Sequence, residues 1–354
     1  MEKARFKWVL RERNRKIAAK TEVFTEQQAR RVRSFHSSFK EYSPTPLIEL
    51  TSLAQHLGIK NLFVKDESYR FELNAFKVLG GSFAIGSYIA NELGEDIDDL
   101  PYMRLVSDEV RSLLGSKTFI TTTDGNHGRG VAWTANRLKQ QAIVYMPQGS
   151  AAERLSNIRA EGAQAEITDM NYDDTVRYTS ELAQKNGWII VQDTAWDGYT
   201  RIPLWIMQGY MTMALEAYEQ LPVKPTHIFL QAGVGSLAGS VQGFFADIYG
   251  SSCPLTFIVE PKGADCLYQT AAANDGSLHS VTGRLETIMA GLACGEPNSI
   301  AWEILGNLSD GFISCPDYTA AQGMRILGNP LAGDTKVSAG ESGAATVGLV
   351  AEAM

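Results

Sequence analysis

Three stretches of this chain combine residue types that can carry covalent and proton-transfer chemistry. The first is Asn74-Ala75-Phe76-Lys77-Val78-Leu79-Gly80-Gly81-Ser82. It follows an expected strand at 61–65 and opens an apolar helical run at 75–90. Asn74 reads as the N-cap, which puts Lys77 in the first helical turn. There the positive end of the helix dipole disfavours an ammonium, and burial beside Phe76, Val78 and Leu79 works in the same direction. A lysine that loses its proton easily can form a Schiff base with an aldehyde. Taken alone, a lysine at a helix start is more often a surface residue.

The second stretch, Thr121-Thr122-Thr123-Asp124-Gly125-Asn126-His127-Gly128, runs from a strand end into a helix. Hydroxyls, an amide and open backbone N–H groups meet there at a positive helix terminus, which suits a carboxylate ligand. The plain alternative is an Asx turn capped by Asp124 or Asn126. The third is Gln231-Ala232-Gly233-Val234-Gly235-Ser236-Leu237-Ala238-Gly239, again strand to helix. Its small residues let backbone amides close around a phosphate. It also fits G-x-G-x-x-A with Glu260 at the end of the next strand, the arrangement of a dinucleotide-binding unit. A nicotinamide oxidoreductase would account for Gly233, Gly235, Ala238 and Glu260 but leaves Lys77 and the 124–128 turn without a role. A phosphate-bearing aldehyde cofactor uses all three stretches.

The elements that must hold these residues alternate along the chain. Strands are expected at 61–65, 117–123, 141–146, 165–168, 188–192, 227–231 and 255–259. Helices are expected at 26–39, 51–57, 75–90, 127–140, 152–161, 172–186, 203–220 and 236–249. This is the pattern of a parallel α/β sheet flanked by helices. The acidic, turn-like segment 91–100 reads as a hinge. A small domain, 91–192, is then inserted into a large discontinuous one, 1–90 and 193–354, with ligands expected in the cleft between them.

With 354 residues, 44% of them apolar and 20% charged, the chain is long enough for two lobes. A net charge of −8 argues against nucleic acid and anionic membranes as partners. No apolar run reaches membrane-spanning length. Residues 1–20 are basic, lack a hydrophobic core and include Glu2 and Glu12. They read as a solvated basic helix or frayed arm rather than a secretory or transit peptide. Four dispersed cysteines and five histidines without ligand spacing predict no metal site and a reducing, cytoplasmic setting.

Several stretches together resemble the fold-type II enzymes dependent on pyridoxal 5'-phosphate (PLP), the group of threonine dehydratase, serine racemase and cysteine synthase. They are Val64 to Phe71, Asn74 to Ser82, Thr121 to Gly130, Val191 to Trp196, Gln231 to Gly239, Met289 to Glu296 and Ser338 to Ala345. The resemblance covers roughly residues 30–354 in chain order. It implies two open, twisted, mostly parallel sheet lobes with the cofactor in the cleft between them, in a homodimer. It also implies a PLP Schiff base on Lys77, with the phosphate at Gly233, Val234, Gly235, Ser236 and Leu237. Asn126 would face the ring hydroxyl, and the ring nitrogen would meet a neutral hydroxyl, Ser342 or else Ser338. The substrate carboxylate would lie along Thr121, Thr122 and Thr123 toward His127, a residue otherwise read as structural.

Within that group the chain is most similar to the ammonia-lyases that act on 2,3-diaminopropionate. Their substrate carries a second amine on Cβ, which gives two carboxylates a purpose. Asp124 would take or give a proton near Cα. Asp193 would act as base or hold the distal ammonium, against the plain alternative of a strand-terminal Asp closing a turn. Lys77 and Asp124, on opposite faces of the cofactor, would serve the two enantiomers. The expected reaction is α,β-elimination followed by hydrolysis to pyruvate and two ammonia. A serine or threonine dehydratase is the alternative of the same fold, the nicotinamide oxidoreductase that of another class, and a non-catalytic binding member is a fourth. Cys266 and Cys294 would border the site, with Trp196 and Tyr199 at its mouth. Two features depart from the pattern: Glu72 stands where a small residue is expected, and the chain stops at Met354 inside the helix after Ser342. An enzyme of this fold is expected to continue through one more strand and helix.

Overall fold

The structure, a computed structural model, describes residues 6–12, 21–123 and 125–354. Its strands are β1 Lys7–Leu10, β2 Leu47–Glu49, β3 Phe63–Lys65, β4 Thr118–Thr122, β5 Gln141–Met146, β6 Gln164–Ile167, β7 Ile189–Ile190, β8 His227–Gln231, β9 Leu255–Pro261 and β10 Gly311–Cys315. They form two four-stranded sheets and a two-stranded antiparallel sheet, β2–β3. The chain divides into two compact units, one of 1–22, 44–69 and 213–354, the other of 23–43 and 70–212.

The second unit is built on a wholly parallel sheet in the order β6-β5-β4-β7. Its central strand, β4, is buried along Phe119 to Thr122, as expected for a parallel strand covered on both faces. The Asn126–Arg137 helix connects β4 to β5. The Lys77–Leu93 helix has twelve buried residues out of seventeen and is therefore enclosed by its neighbours. It ends at Gly94, whose left-handed φ of 67° forms the C-cap. An aromatic cluster around it includes Phe35, Phe39, Phe71, Phe83 and Trp133, with ring centroids 5.4 to 5.9 Å apart.

The first unit holds the sheet β1-β10-β9-β8, in which β8, β9 and β10 are parallel. The Ser236–Tyr249 helix joins β8 to β9. The final two helices, Asp317–Gly328 and Glu341–Ala353, meet through glycine. A Cβ on Gly323 would overlap Ala344 O, and one on Gly348 would overlap Thr319 O. Val259, Met289, Leu292, Cys315, Ala320, Ala345 and Leu349 form one buried cluster of this unit.

Three expectations are corrected. Residues 7–10 are not helix or frayed arm but a strand, antiparallel to β10, with Trp8 and Leu10 65% and 68% exposed; residues 1–5 and 13–20 lie outside the described residues. The open edge of β10 supplies backbone partners that a solvated arm lacks. Residues 91–100 are not a boundary: the Lys77–Leu93 helix runs through their start, and Asp96 caps the Ile97–Asp99 turn inside the second unit. The four strands of the small sheet do lie within 91–192, but the unit around them also takes in 23–43, 70–90 and 193–212.

Candidate functional site

Lys77 is reached through a constrained turn. Phe71, Glu72 and Asn74 take left-handed φ values of 50°, 60° and 59°. For non-glycine residues this conformation is costly, and burial of Phe71 against Phe39 and Trp133 helps to hold it. At position 72, with φ 60°, glycine would adopt this conformation without that cost. Asn74 is therefore not the N-cap. The helix starts at Lys77 itself, behind Phe76, without a side-chain cap. Lys77 thus occupies the first turn as expected, by a different route.

The Lys77 amine lies 2.6 Å from Asp193 Oδ2. Asp193 follows β7 and is 4% exposed. Burial alone would favour its neutral acid, but the adjacent Lys77 charge, and after it His127, outweigh burial and hold the carboxyl at about 2. The contact pairs a carboxylate with an ammonium, which favours the charged amine. This opposes the dipole argument for a neutral one, and the carboxylate is much the closer charge.

A polar lattice fixes Asp193 in place. Gln192 Oε1 accepts from Thr122 N at 3.0 Å and Thr121 Oγ1 at 3.1 Å, while its Nε2 donates to Tyr172 Oη at 2.8 Å. Tyr172 Oη in turn reaches Asp193 Oδ1 at 3.5 Å. Tyr199 Oη accepts from Gln192 N and donates to Ile190 O, at 2.8 and 2.9 Å. Tyr199 is thus a brace for the end of β7 rather than an open mouth residue, with Trp196 stacked on it at 4.3 Å. His127 Nε2 donates to Val191 O at 2.7 Å, the structural role expected of it.

The threonine turn leads into the Asn126–Arg137 helix, which carries Asn126 as its first residue. Thr121, Thr122 and Thr123 are all buried. The Thr122 hydroxyl bonds Thr175 O and Thr179 Oγ1, and Thr123 Oγ1 accepts from Gly125 N. The hydroxyls therefore brace the turn, leaving the helix N-terminus as its polar end. Asp124 lies outside the described residues. Gly130 lets this helix approach the backbone of Lys77, since a Cβ there would meet Val78 Cα at 2.8 Å and Lys77 C at 3.3 Å.

In the first unit, Gly233 to Leu237 join β8 to the Ser236–Tyr249 helix, which has no side-chain cap and begins behind Gly235 at φ 101°. A Cβ on Gly233 would press on Leu292 Cα and Cys294 Sγ, at 3.2 and 3.3 Å. Cys266 Sγ points at Gly233 O from 3.9 Å, so both cysteines do border this turn. Asn298 braces it from behind, donating to Ser236 Oγ at 2.8 Å and, through its backbone N–H, to Val234 O at 2.8 Å. Ser342 begins the last helix, and its Oγ is buried with no hydrogen-bond partner among the described residues.

Glu260 removes the main support for a nicotinamide cofactor. It is 0% exposed, and its two oxygens accept from Leu267 N at 2.9 Å and Tyr268 N at 2.7 Å, which binds it to the start of the next helix. Burial pushes its carboxyl well above the ordinary range. A ribose cannot reach it there.

Gln192, Tyr172 and Asn298 were not legible as site residues. Gln192 at least stands inside the stretch Val191 to Trp196; the others have no distinguishing spacing.

A family model described as pyridoxal-phosphate dependent enzyme matches residues 39–353. The diaminopropionate ammonia-lyase of Salmonella typhimurium is 53% identical over 328 residues, covering 91% of this chain and 81% of its own. Two solved structures of diaminopropionate ammonia lyase from Escherichia coli match 98% of this chain and 86% of theirs. One, in complex with D-serine, has a TM-score of 0.90 at 48% identity. The other, with an aminoacrylate-PLP azomethine reaction intermediate, has a TM-score of 0.88 at 48% identity.

Proposed function

The chain belongs to the pyridoxal-phosphate dependent enzymes, with the fold-type II architecture, and from that premise we propose that it is a carbon–nitrogen lyase acting on 2,3-diaminopropionate. One substrate and one water would give pyruvate and two ammonia. The observation that carries this reading is the part-buried Lys77–Asp193 contact. It supplies an amine for an aldehyde and a carboxylate, ionised at neutral pH, for a second ammonium.

The residues present fit the cofactor. The glycine turn is a cradle that a Cβ would crowd, at a helix terminus without a side-chain cap. The unpartnered Ser342 Oγ is a neutral hydroxyl of the kind the ring nitrogen requires. When bound, PLP supplies the electron sink that makes the Cα proton acidic and lets the Cβ amine leave.

In this reading Gly233, Val234, Gly235, Ser236 and Leu237 would hold the phosphate through backbone N–H groups, and Asn126 would serve the ring hydroxyl. Lys77 provides the amine for the aldehyde and moves the proton at Cα. Asp193 would hold the distal ammonium or act as base, and Asp124 would take or give the proton on the face opposite Lys77. The 121–127 turn takes the substrate carboxylate at its helix terminus. A cytoplasmic homodimer completes the proposal.

The test is release of pyruvate and ammonia from D- and L-diaminopropionate, serine and threonine. The expected kcat/KM for diaminopropionate exceeds that for serine and threonine at least tenfold, since the latter offer Asp193 no distal ammonium. Equal or better turnover of serine or threonine would make the protein a dehydratase.

A further inference from the structure

Tyr210 takes no part in the roles assigned above. It lies on the Arg201–Gln220 helix, is 0% exposed, and its hydroxyl makes no close hydrogen bond among the described residues, with Lys77 the side chain it interacts with. A buried hydroxyl left unpaired is destabilising, so its retention calls for a purpose.

Two glycines put the ring where it is. A Cβ on Gly80 would meet Tyr210 Cε1 at 2.6 Å and Cζ at 2.9 Å, and one on Gly209 would overlap Leu79 O. The Lys77–Leu93 and Arg201–Gln220 helices thereby close until Tyr210 packs edge-on against Phe76, with centroids 5.1 Å apart. The Lys77 amine stands 5.9 Å from the Tyr210 ring centroid and 5.7 Å from that of Phe76. Asp193 Oδ2 is its anionic contact, at 2.6 Å. Burial raises the phenol's pKa, while the Lys77 charge pulls the other way and is the strongest charge acting on it. The hydroxyl therefore stays protonated beside the lysine.

We propose that Tyr210 is a positioning residue for Lys77: its ring forms a fixed stop beside the lysine side chain, and its hydroxyl donates a hydrogen bond to the amine whenever that amine is uncharged. Asp193 and the Tyr210 hydroxyl then act in opposite senses on one nitrogen. The carboxylate, and the Phe76 and Tyr210 ring faces with it, favour the ammonium, and the hydrogen bond donated by the hydroxyl favours the neutral amine. The inference rests on Lys77 being the reacting amine.

Tyr210→Phe removes the hydroxyl alone, and Tyr210→Met is the second variant should the first not fold. The pH dependence of the rate at which cofactor-stripped protein takes PLP up again, followed by visible absorbance, reads the neutral amine without any substrate. The expected result is a midpoint moved upward by about one pH unit, with kcat down about tenfold and KM within about twofold. Phenol removal that leaves the uptake midpoint within about 0.2 unit of the parent would overturn the proposal, whatever the melting temperature. So would failure of both variants to fold, which would mark Tyr210 as packing alone. Because uptake needs no substrate, loss of the diaminopropionate assignment would leave this result standing, and an unmoved midpoint in an enzyme still forming pyruvate would sink only the role of Tyr210.

Discussion

At Asp193, two effects of opposite sign compete, and the magnitudes decide. Removing a carboxylate from water favours its neutral form, but an ammonium at 2.6 Å is stronger, and the carboxyl falls to about 2. A carboxyl whose folded pKa lies below its unfolded value stabilises the fold above the unfolded pKa and loses that contribution as pH falls through the folded one. Here the window runs from about 4 down to about 2, and the contribution is about 2 kcal/mol. Denaturant unfolding across that range should show a pH-dependent component in the parent that is absent in Asp193→Asn. Identical slopes in the two proteins would mean that Asp193 is not ionised beside Lys77. The pairing itself could not be read from the sequence. Positions 77 and 193 are 116 residues apart, and nothing in their local spacing links them.

Among the elements, those with explicit punctuation were legible to the residue. The Tyr172–Asn186 helix has Asn171 as a side-chain cap and Gly187 as a left-handed stop, and β5 ends against Pro147. Elements whose signal lies in a distant partner were missed. β1 exists because β10, some three hundred residues away, offers an edge. The Cys266–Ala273, Ser299–Leu308 and Asp317–Gly328 helices went unread, whereas a helix after Ser342 was expected; Asp317–Gly328 and Glu341–Ala353 meet through glycines rather than a conventional apolar stripe. Small residues also control the crossing beside Lys77. Gly209→Ala would drive a methyl into Leu79 O, so the Arg201–Gln220 helix must move away. The expected cost is at least about 2 kcal/mol of stability, with weaker cofactor retention because Tyr210 and the Lys77 turn shift together. A melting temperature and cofactor occupancy equal to the parent's would show that the helices are not in close contact there.

Across the whole molecule, the 121–128 and 231–239 turns run from strand into helix as strand–helix alternation predicts, and Lys77 opens a helix. The α/β class follows directly from that alternation. The outlines of the compact units did not, because sequence punctuation marks the ends of elements and not which helices pack together. The Glu26–Ser37 helix, within 23–43, joins the second unit through aromatic packing on the Lys77–Leu93 helix, as Phe35 against Phe83 shows. The nicotinamide alternative depended on one carboxylate, Glu260, being open to a ligand. Its burial and two backbone hydrogen bonds decide against that.

All of the proposed chemistry passes through a covalent bond at a single lysine. Borohydride reduction of the cofactor-loaded protein, followed by peptide mapping, locates that bond directly. The account predicts bleaching of the visible absorbance and a pyridoxyl label on Lys77. A label on another lysine, or no label with the absorbance unchanged, would contradict it.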